Sequence, residues 1–366
     1  DETVEYKDHP QSAQAVYNAG YLLDNMEQWD KAIDAYEKYI RLYSDIDEEQ
    51  EQIKKVKLVL PYLEMEKERW SEALERFEDY ADLDNLDPEE HVMLNSEMGL
   101  LVEKIEGPNW ENVSNDYFDK SLELWNDLEE DKQKYATVAF AAKARFHQAE
   151  RVYEEFKNVK FAFPMSKLKQ SLQEKGELEQ DAEKIYREII DMARETGSEG
   201  SKVWLTASAY RIGQMYRDFA QQLNDLPLPE GLSAEQEDQY RFALEDQIFP
   251  LEEQALEAFR YAQSLAIQYQ AYNEWSSKSA KQISSMEGES YPITEQEGVD
   301  ASHGRINFFV PEANTDLEAI AKRAAERKPV EPEPQPGDKP GDDKGAPGES
   351  PDNKDGSDSE GPQAGK

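Results

Sequence analysis

The 366-residue chain contains no cysteine. Disulfide staples, thiol nucleophiles and cysteine-ligated zinc or iron–sulfur centres are therefore excluded, while the redox compartment stays open. Histidine is scarce: His9, His91, His147 and His303 lie far apart, and none forms the HExxH pair that places two ligands on one helical face. No glycine-rich loop follows a strand pattern to cradle a phosphate. No apolar run approaches the roughly 20 residues needed to cross a bilayer. Basic residues are few, 41 Lys and Arg against 80 Asp and Glu, for a net charge of −39. Such a surface repels nucleic-acid phosphates and anionic lipid heads. It suits basic proteins or cations, or serves solubility in a salty medium. These absences predict a non-enzymatic chain with no cofactor, no metal, no nucleic-acid partner and no direct transmembrane insertion. The start at Asp1, without a basic-then-apolar leader, reads as a processed form or an excised fragment.

What is present is repetition. WDKAIDAYEKY at Trp29–Tyr39 returns as WSEALERFEDY at Trp70–Tyr80, and WENVSNDYFDK begins at Trp110. Trp70 follows Trp29 by 41 positions and Trp110 follows Trp70 by 40. Within the copies, Trp29, Ala32 and Tyr36, then Trp70, Ala73 and Phe77, then Trp110, Val113 and Tyr117 step by three and four, which places each triplet on one helical face. A small residue between large rings lets a neighbouring helix approach closely. Periods of 20–50 residues with this content predict an all-α stack of helical hairpins.

Upstream of the first signature, AVYNAGYLLDN places Gly20 twelve residues before Ala32. With Gly20, Ala32 and Tyr36 in these places, the chain resembles the tetratricopeptide-repeat (TPR) family. The second copy carries Pro61 where that pattern has a small residue, so its first helix is expected to start there or bend. The third has Gly99, followed by an insertion with Gly107 and Pro108. A long helical stretch from about residue 135 to 160 precedes LEQDAEKIYREII, which supplies Ala182 and Tyr186. ASAYRIGQMYRDF then gives Gly213 and Tyr216, and LEEQALEAFRYA gives Ala255, Phe259 and Ala262. The resemblance implies a right-handed superhelical solenoid of about five or six irregular hairpins.

The domain reading is an N-terminal extension at 1–12, a solenoid over 13–288 with an insertion at 220–250, an extended segment plus short helix at 289–328, and a tail at 329–366. The insertion contains LPLPEGL at Leu226–Leu232, followed by Ser233 as an N-cap. Residues around Asn273–Met286 are expected to cap the open end of the stack. INFFVP at Ile306–Pro311 is an isolated apolar run, read as a strap on the final repeat or as a linear binding motif. The tail, rich in Pro, Gly, Asp and Glu, cannot bury enough surface to offset chain entropy and reads as disordered. Its DNKDGSDSE run fails EF-hand spacing at Lys354.

Within residues 135–286, ARFHQAERVYEEF, VWLTASAYRIGQMYRDF and LPLPEGLSAEQEDQYRFALED resemble the C-terminal part of large TPR-rich envelope proteins of deltaproteobacteria, including those grouped with adventurous gliding motility. That resemblance implies a non-catalytic scaffold of the bacterial cell envelope, periplasmic or outer-membrane associated, that holds protein partners. The alternative is an assembly factor that handles client polypeptides transiently. The family's groove-facing positions, carried onto this chain, give Tyr17, Tyr21 and Asp24, then Leu58, Tyr62 and Met65, then Tyr210, Gln214 and Arg217. The competing reading of these residues is packing in the seams between repeats. TPR co-chaperones grip a carboxylate with Lys, Asn and Arg; here Asn18 stands among tyrosines, which argues against that role.

Overall fold

A computed structural model of the chain describes residues 11–133, 136–196, 199–229 and 231–287. Most of the N-terminal extension, INFFVP, the segment 289–328 and the tail lie outside the described residues. Backbone contacts divide the chain into two units, Asp1–Asn314 and Thr315–Lys366, and every described residue belongs to the first.

The described residues form twelve α-helices and one short 3-10 turn, with no strand among them. In chain order the helices are α1 (Ser12–Asn25), α2 (Trp29–Tyr43), α3 (Gln50–Glu66), α4 (Trp70–Ala81), α5 (Pro88–Ile105), α6 (Trp110–Asn126), α7 (Glu130–Gln133), α8 (Ala136–Asn158), α9 (Met165–Thr196), α10 (Glu199–Asn224), α11 (Ala234–Tyr269) and α12 (Glu274–Glu287). They pack as neighbours in pairs: α1 with α2, α3 with α4, α5 with α6, α8 with α9, and α10 with α11. Each pair also meets the next through its second helix, and α5, α8, α10 and α12 touch in succession.

The pairing follows from local chemistry. Glu27 and Glu68, 41 residues apart, both adopt the left-handed conformation (φ 56° and 55°). At these two turns Gln28 N–H reaches back to Leu23 C=O and Arg69 N–H to Glu64 C=O, each at 2.9 Å. That closes the preceding helix in a Schellman-type arrangement and reverses the chain within a few residues. Asp87 and Glu90 form a capping box at the head of α5, with Pro88 at the first helical position. Ser233 and Gln236 form another at the head of α11.

In three of the pairs, α1–α2, α5–α6 and α10–α11, a ring on the second helix seats against a glycine on the first. A methyl placed on Gly20 would stand 2.7 Å from Tyr36 Cδ1, and one on Gly213 would stand 2.8 Å from Phe259 Cδ1. Ala32, Ala73, Ala182 and Ala255 are fully buried, as are Tyr36, Phe77, Tyr186 and Phe259. Trp29, Trp70 and Trp110 are only half-buried at their helix starts.

Three expectations need correction. The third copy does not use Val113 and Tyr117. Gly99 faces Phe118, whose Cε1 would be 2.4 Å from an added methyl. Ser114 and Phe118 are fully buried, whereas Val113 is exposed and Tyr117 half-buried. One extra residue between Trp110 and the small position turns the pair by about 100° around the helix. Second, α3 does not start at Pro61, which lies buried inside a helix running from Gln50 to Glu66. Third, the insertion at 220–250 is not separate from the last signature. Its second half is the first half of α11, which runs through Pro250 to Tyr269.

The core is accordingly a succession of clusters rather than one centre. Ile53, Val56, Leu60 and Leu63 of α3 belong to the cluster with α1 and α2, while Leu58 and Met65 of the same helix belong to the next. Polar groups stitch the seams: Lys143 of α8 meets Glu97 of α5 at 2.6 Å with both side chains buried. Breaking such a pair from one side would leave an uncompensated buried charge.

Candidate functional site

The positions read from the sequence as groove-facing divide in two. Tyr17, Leu58, Met65 and Tyr210 are buried in the core, which corrects their assignment to a free surface. Tyr17 packs against the rings of Tyr36 and Tyr39, and burial raises its hydroxyl pKa to about 12. Tyr210 packs between Phe259 and Trp275. The small-residue rule brings paired helices so close that these side chains fill the seam. Asp24 is also buried. Tyr21, Tyr62, Gln214 and Arg217 stay partly accessible. Of these, Tyr62 stands edge-on to Phe77, Gln214 donates to Asp218 at 2.7 Å, and Arg217 reaches Ser285 on α12 at 3.3 Å. They do not converge on one place.

A different set of side chains does converge. Between α5, α6 and α8, with Ile185 of α9 at one side, lies an open cleft of about 1010 Å³. The C-terminal end of α5 carries Glu103 into it; His147 and Arg151, one helical turn apart on α8, meet it there. His147 Nδ1 lies 2.7 Å from Glu103 Oε2, and Arg151 Nη2 lies 2.9 Å from Glu103 Oε1. Burial pushes the Glu103 carboxyl up, but His147 and Arg151 outweigh it and hold its pKa below the ordinary glutamate value. Arg151 also donates to the Glu111 carbonyl at 2.6 Å and to Ser114 Oγ. Its guanidinium stands over the Trp110 ring at 5.4 Å and the Phe118 ring at 5.8 Å. His147 stacks on Phe118, the same ring that fills the Gly99 notch. The repeat's packing thus fixes the orientation of the cleft's polar groups.

Of the other cations lining the cleft, Lys104 is exposed, stands over the Trp70 ring at 5.9 Å and makes no ion pair among the described residues, whereas Arg145 is engaged internally. Arg145 pairs with Glu188 at 2.7 Å. Glu150 accepts two bonds from Arg211 and one, at 2.6 Å, from the Tyr186 hydroxyl. Glu106, Glu111 and Glu155 line the same cleft, are exposed, and make no ion pair among the described residues. The result is a floor of internally paired groups with a net excess of negative charge at the rim, three free carboxylates against Lys104. No cluster of three His, Asp or Glu among the described residues is arranged to hold a metal ion.

Sequence reasoning missed this cleft because its ion pairs join Glu103 to His147 and Arg151, 44 and 48 positions further along the chain. The available signal was the Arg145, His147, Arg151 series, whose last two members share a face. A second missed feature is itself repeated. The Tyr39 hydroxyl bonds Glu49, and the Tyr80 hydroxyl bonds Glu90 at 2.6 Å, ten residues on in each copy. Both phenols are driven well above the usual tyrosine range by burial and by the adjacent carboxylate. Ser121 takes the equivalent place in the third copy and bonds the Val92 carbonyl at 2.8 Å.

No protein-family model matches the chain, and no curated protein matches it either. No helix among the described residues is long and apolar enough to cross a membrane.

Proposed function

We propose that the chain is a non-catalytic scaffold, a TPR-like right-handed solenoid that holds another polypeptide. The observation that carries this reading is the cleft between α5, α6 and α8. Its Arg145, His147 and Arg151 are paired from within, its floor is fixed by the Gly99–Phe118 seat, and three uncommitted carboxylates at its rim outnumber the one unpaired cation, Lys104. A groove with pre-oriented groups and a half-buried Trp suits a partner segment carrying Lys or Arg, and steering by a chain of net charge −39 favours the same partner. The sequential pairing of helices, with a glycine seat in three of the pairs, supports the solenoid reading. The likeness of residues 135–286 to TPR-rich envelope proteins supports a bacterial envelope complex as the setting.

A photo-crosslinking residue at Asn115, inside the cleft, tests this in native cells. One recurrent protein adduct, lost in the Glu106→Gln, Glu111→Gln, Glu155→Gln variant, is expected. Absence of any recurrent protein adduct would refute the scaffold reading. A broad ladder of weak adducts would instead favour transient handling of client polypeptides.

A further inference from the structure

Helix α11 is two different objects joined end to end. From Ala255 onward it is core, with Ala255, Phe259 and Ala262 fully buried. From Ala234 to Gln254 it packs on one side through Leu244, Ile248 and Leu251 and leaves the opposite side bare. That bare side carries Phe242 and Phe249, exposed by 66% and 61%. Seven residues apart, they lie on one stripe, with Ala243 and Pro250 beside them. They are the only exposed phenylalanines among the described residues. Around them stand four carboxylates, Asp238, Glu245, Asp246 and Glu253, against one cation, Arg241, all exposed and without an ion pair among the described residues.

We propose that this face is the seat of the chain's own Ile306–Pro311 segment, INFFVP, folded back from the end of α12. Three observations select that occupant. Phe308 and Phe309 are the only phenylalanines outside the described residues, two rings in one short apolar run to match the two unpartnered rings of α11. Arg305, next to the apolar run, is the sole Lys or Arg between Lys281 and Lys322, opposite a stripe flanked by four carboxylates. The tether also fits. Glu287, the last residue of α12, pairs with Arg260 of α11. From Arg260, Phe249 and Phe242 lie about 16 Å and 27 Å back along the helix at 1.5 Å per residue. Ile306 follows Glu287 by 19 residues, and an unstructured chain of that length would span roughly 25 Å root-mean-square. Effective concentration peaks when the span and the tether length match. The seat shares no lining residue with the cleft and does not depend on what the cleft holds.

The absence of native cysteine gives a clean test. In the full chain, the Ala243→Cys, Asn307→Cys double variant is treated with a short bismaleimide. Its rate is compared with that of Ser264→Cys, Asn307→Cys, whose first thiol is exposed and closer to Arg260. A docked segment crosslinks within the monomer at Ala243→Cys about tenfold faster than at Ser264→Cys. Adding Phe242→Asp and Phe249→Asp abolishes that preference; both positions are exposed, so an unchanged circular-dichroism melt confirms that the fold survives. Equal rates at the two positions would overturn the proposal. So would a crosslinked dimer as the main product, which would place a second copy on the face, or a preference that persists in the Asp variant.

Discussion

The first three hairpins and the last two solve the same packing problem with different helix lengths. In α1 to α6 no helix exceeds 18 residues, and the turn after each first helix is closed by a left-handed residue. In the later part, α9 and α11 extend to 32 and 36 residues. Their signature halves, around Ala182–Tyr186 and Ala255–Phe259, pack as the short helices do. Their first halves overhang the repeat. On α9 the overhang buries Lys175, whose ammonium donates to the Phe156 carbonyl at 2.6 Å and stands 3.6 Å from the centre of the Phe156 ring. On α11 it leaves Phe242 and Phe249 in solvent. The comparison separates the length a repeat needs to close its seam from length added beyond it, where new surface and new chemistry appear.

The sharpest way to break the comparison is to truncate a ring in the seam. Phe259→Ala should cost about 3–5 kcal/mol, since its cavity is bounded by Gly213 and cannot collapse. Chemical denaturation would measure this, and a loss below 1 kcal/mol would mean that the seam is not the source of stability.

Next is the α9 overhang. Burial, with Lys160 adding to it and Asp218 opposing, brings the Lys175 pKa down to about 8. Between pH 8 and 10.5 the unfolded chain therefore binds more protons there, and stability rises with pH through that window. Relative to Lys175→Met, the wild-type chain should gain about 2–3 kcal/mol from pH 8 to 10.5 and nothing below pH 7. The raised tyrosines are common to both chains and cancel in the difference. A difference that stays constant with pH would show that the ammonium is not desolvated.

Two glycine substitutions then carry opposite signs. Gly99→Ala forces a methyl onto the Phe118 ring and should destabilise by about 1–3 kcal/mol. Gly176→Ala, on the α9 overhang, meets nothing within 4 Å and should stabilise by about 0.5–1 kcal/mol through helix propensity. Thermal melts of the two variants moving in the same direction would contradict the distinction between seam and overhang. Smallest of all, Met165→Ala, at the exposed head of the α9 overhang, should shift stability by about 0.5 kcal/mol or less.

Much of this architecture was legible in the residues. Gly20, Ala32 and Tyr36, like Gly213, Ala255 and Phe259, announce a close helix–helix contact because only a small side chain leaves room for a ring. The slip at Val113 and Tyr117 arose because the tryptophan spacing held while one residue entered between Trp110 and Ser114. Position along the sequence then no longer matched angle around the helix. Pro61 misled for a related reason: neighbouring helices hold α3 in place around it, which local propensity does not anticipate. Tyr17 and Tyr210 carry an amphipathic residue type that serves equally in a groove or a seam, and only the distance to the next helix decides between them.

The sequence by itself determined the helical class, the pairing and most seam residues, because periodicity and side-chain size act within a few residues. Tertiary structure alone decided where Glu103, His147 and Arg151 meet, which half of α11 is covered, and that Lys175 is buried. These depend on helices that approach from distant parts of the chain, and no local pattern records how closely they come together.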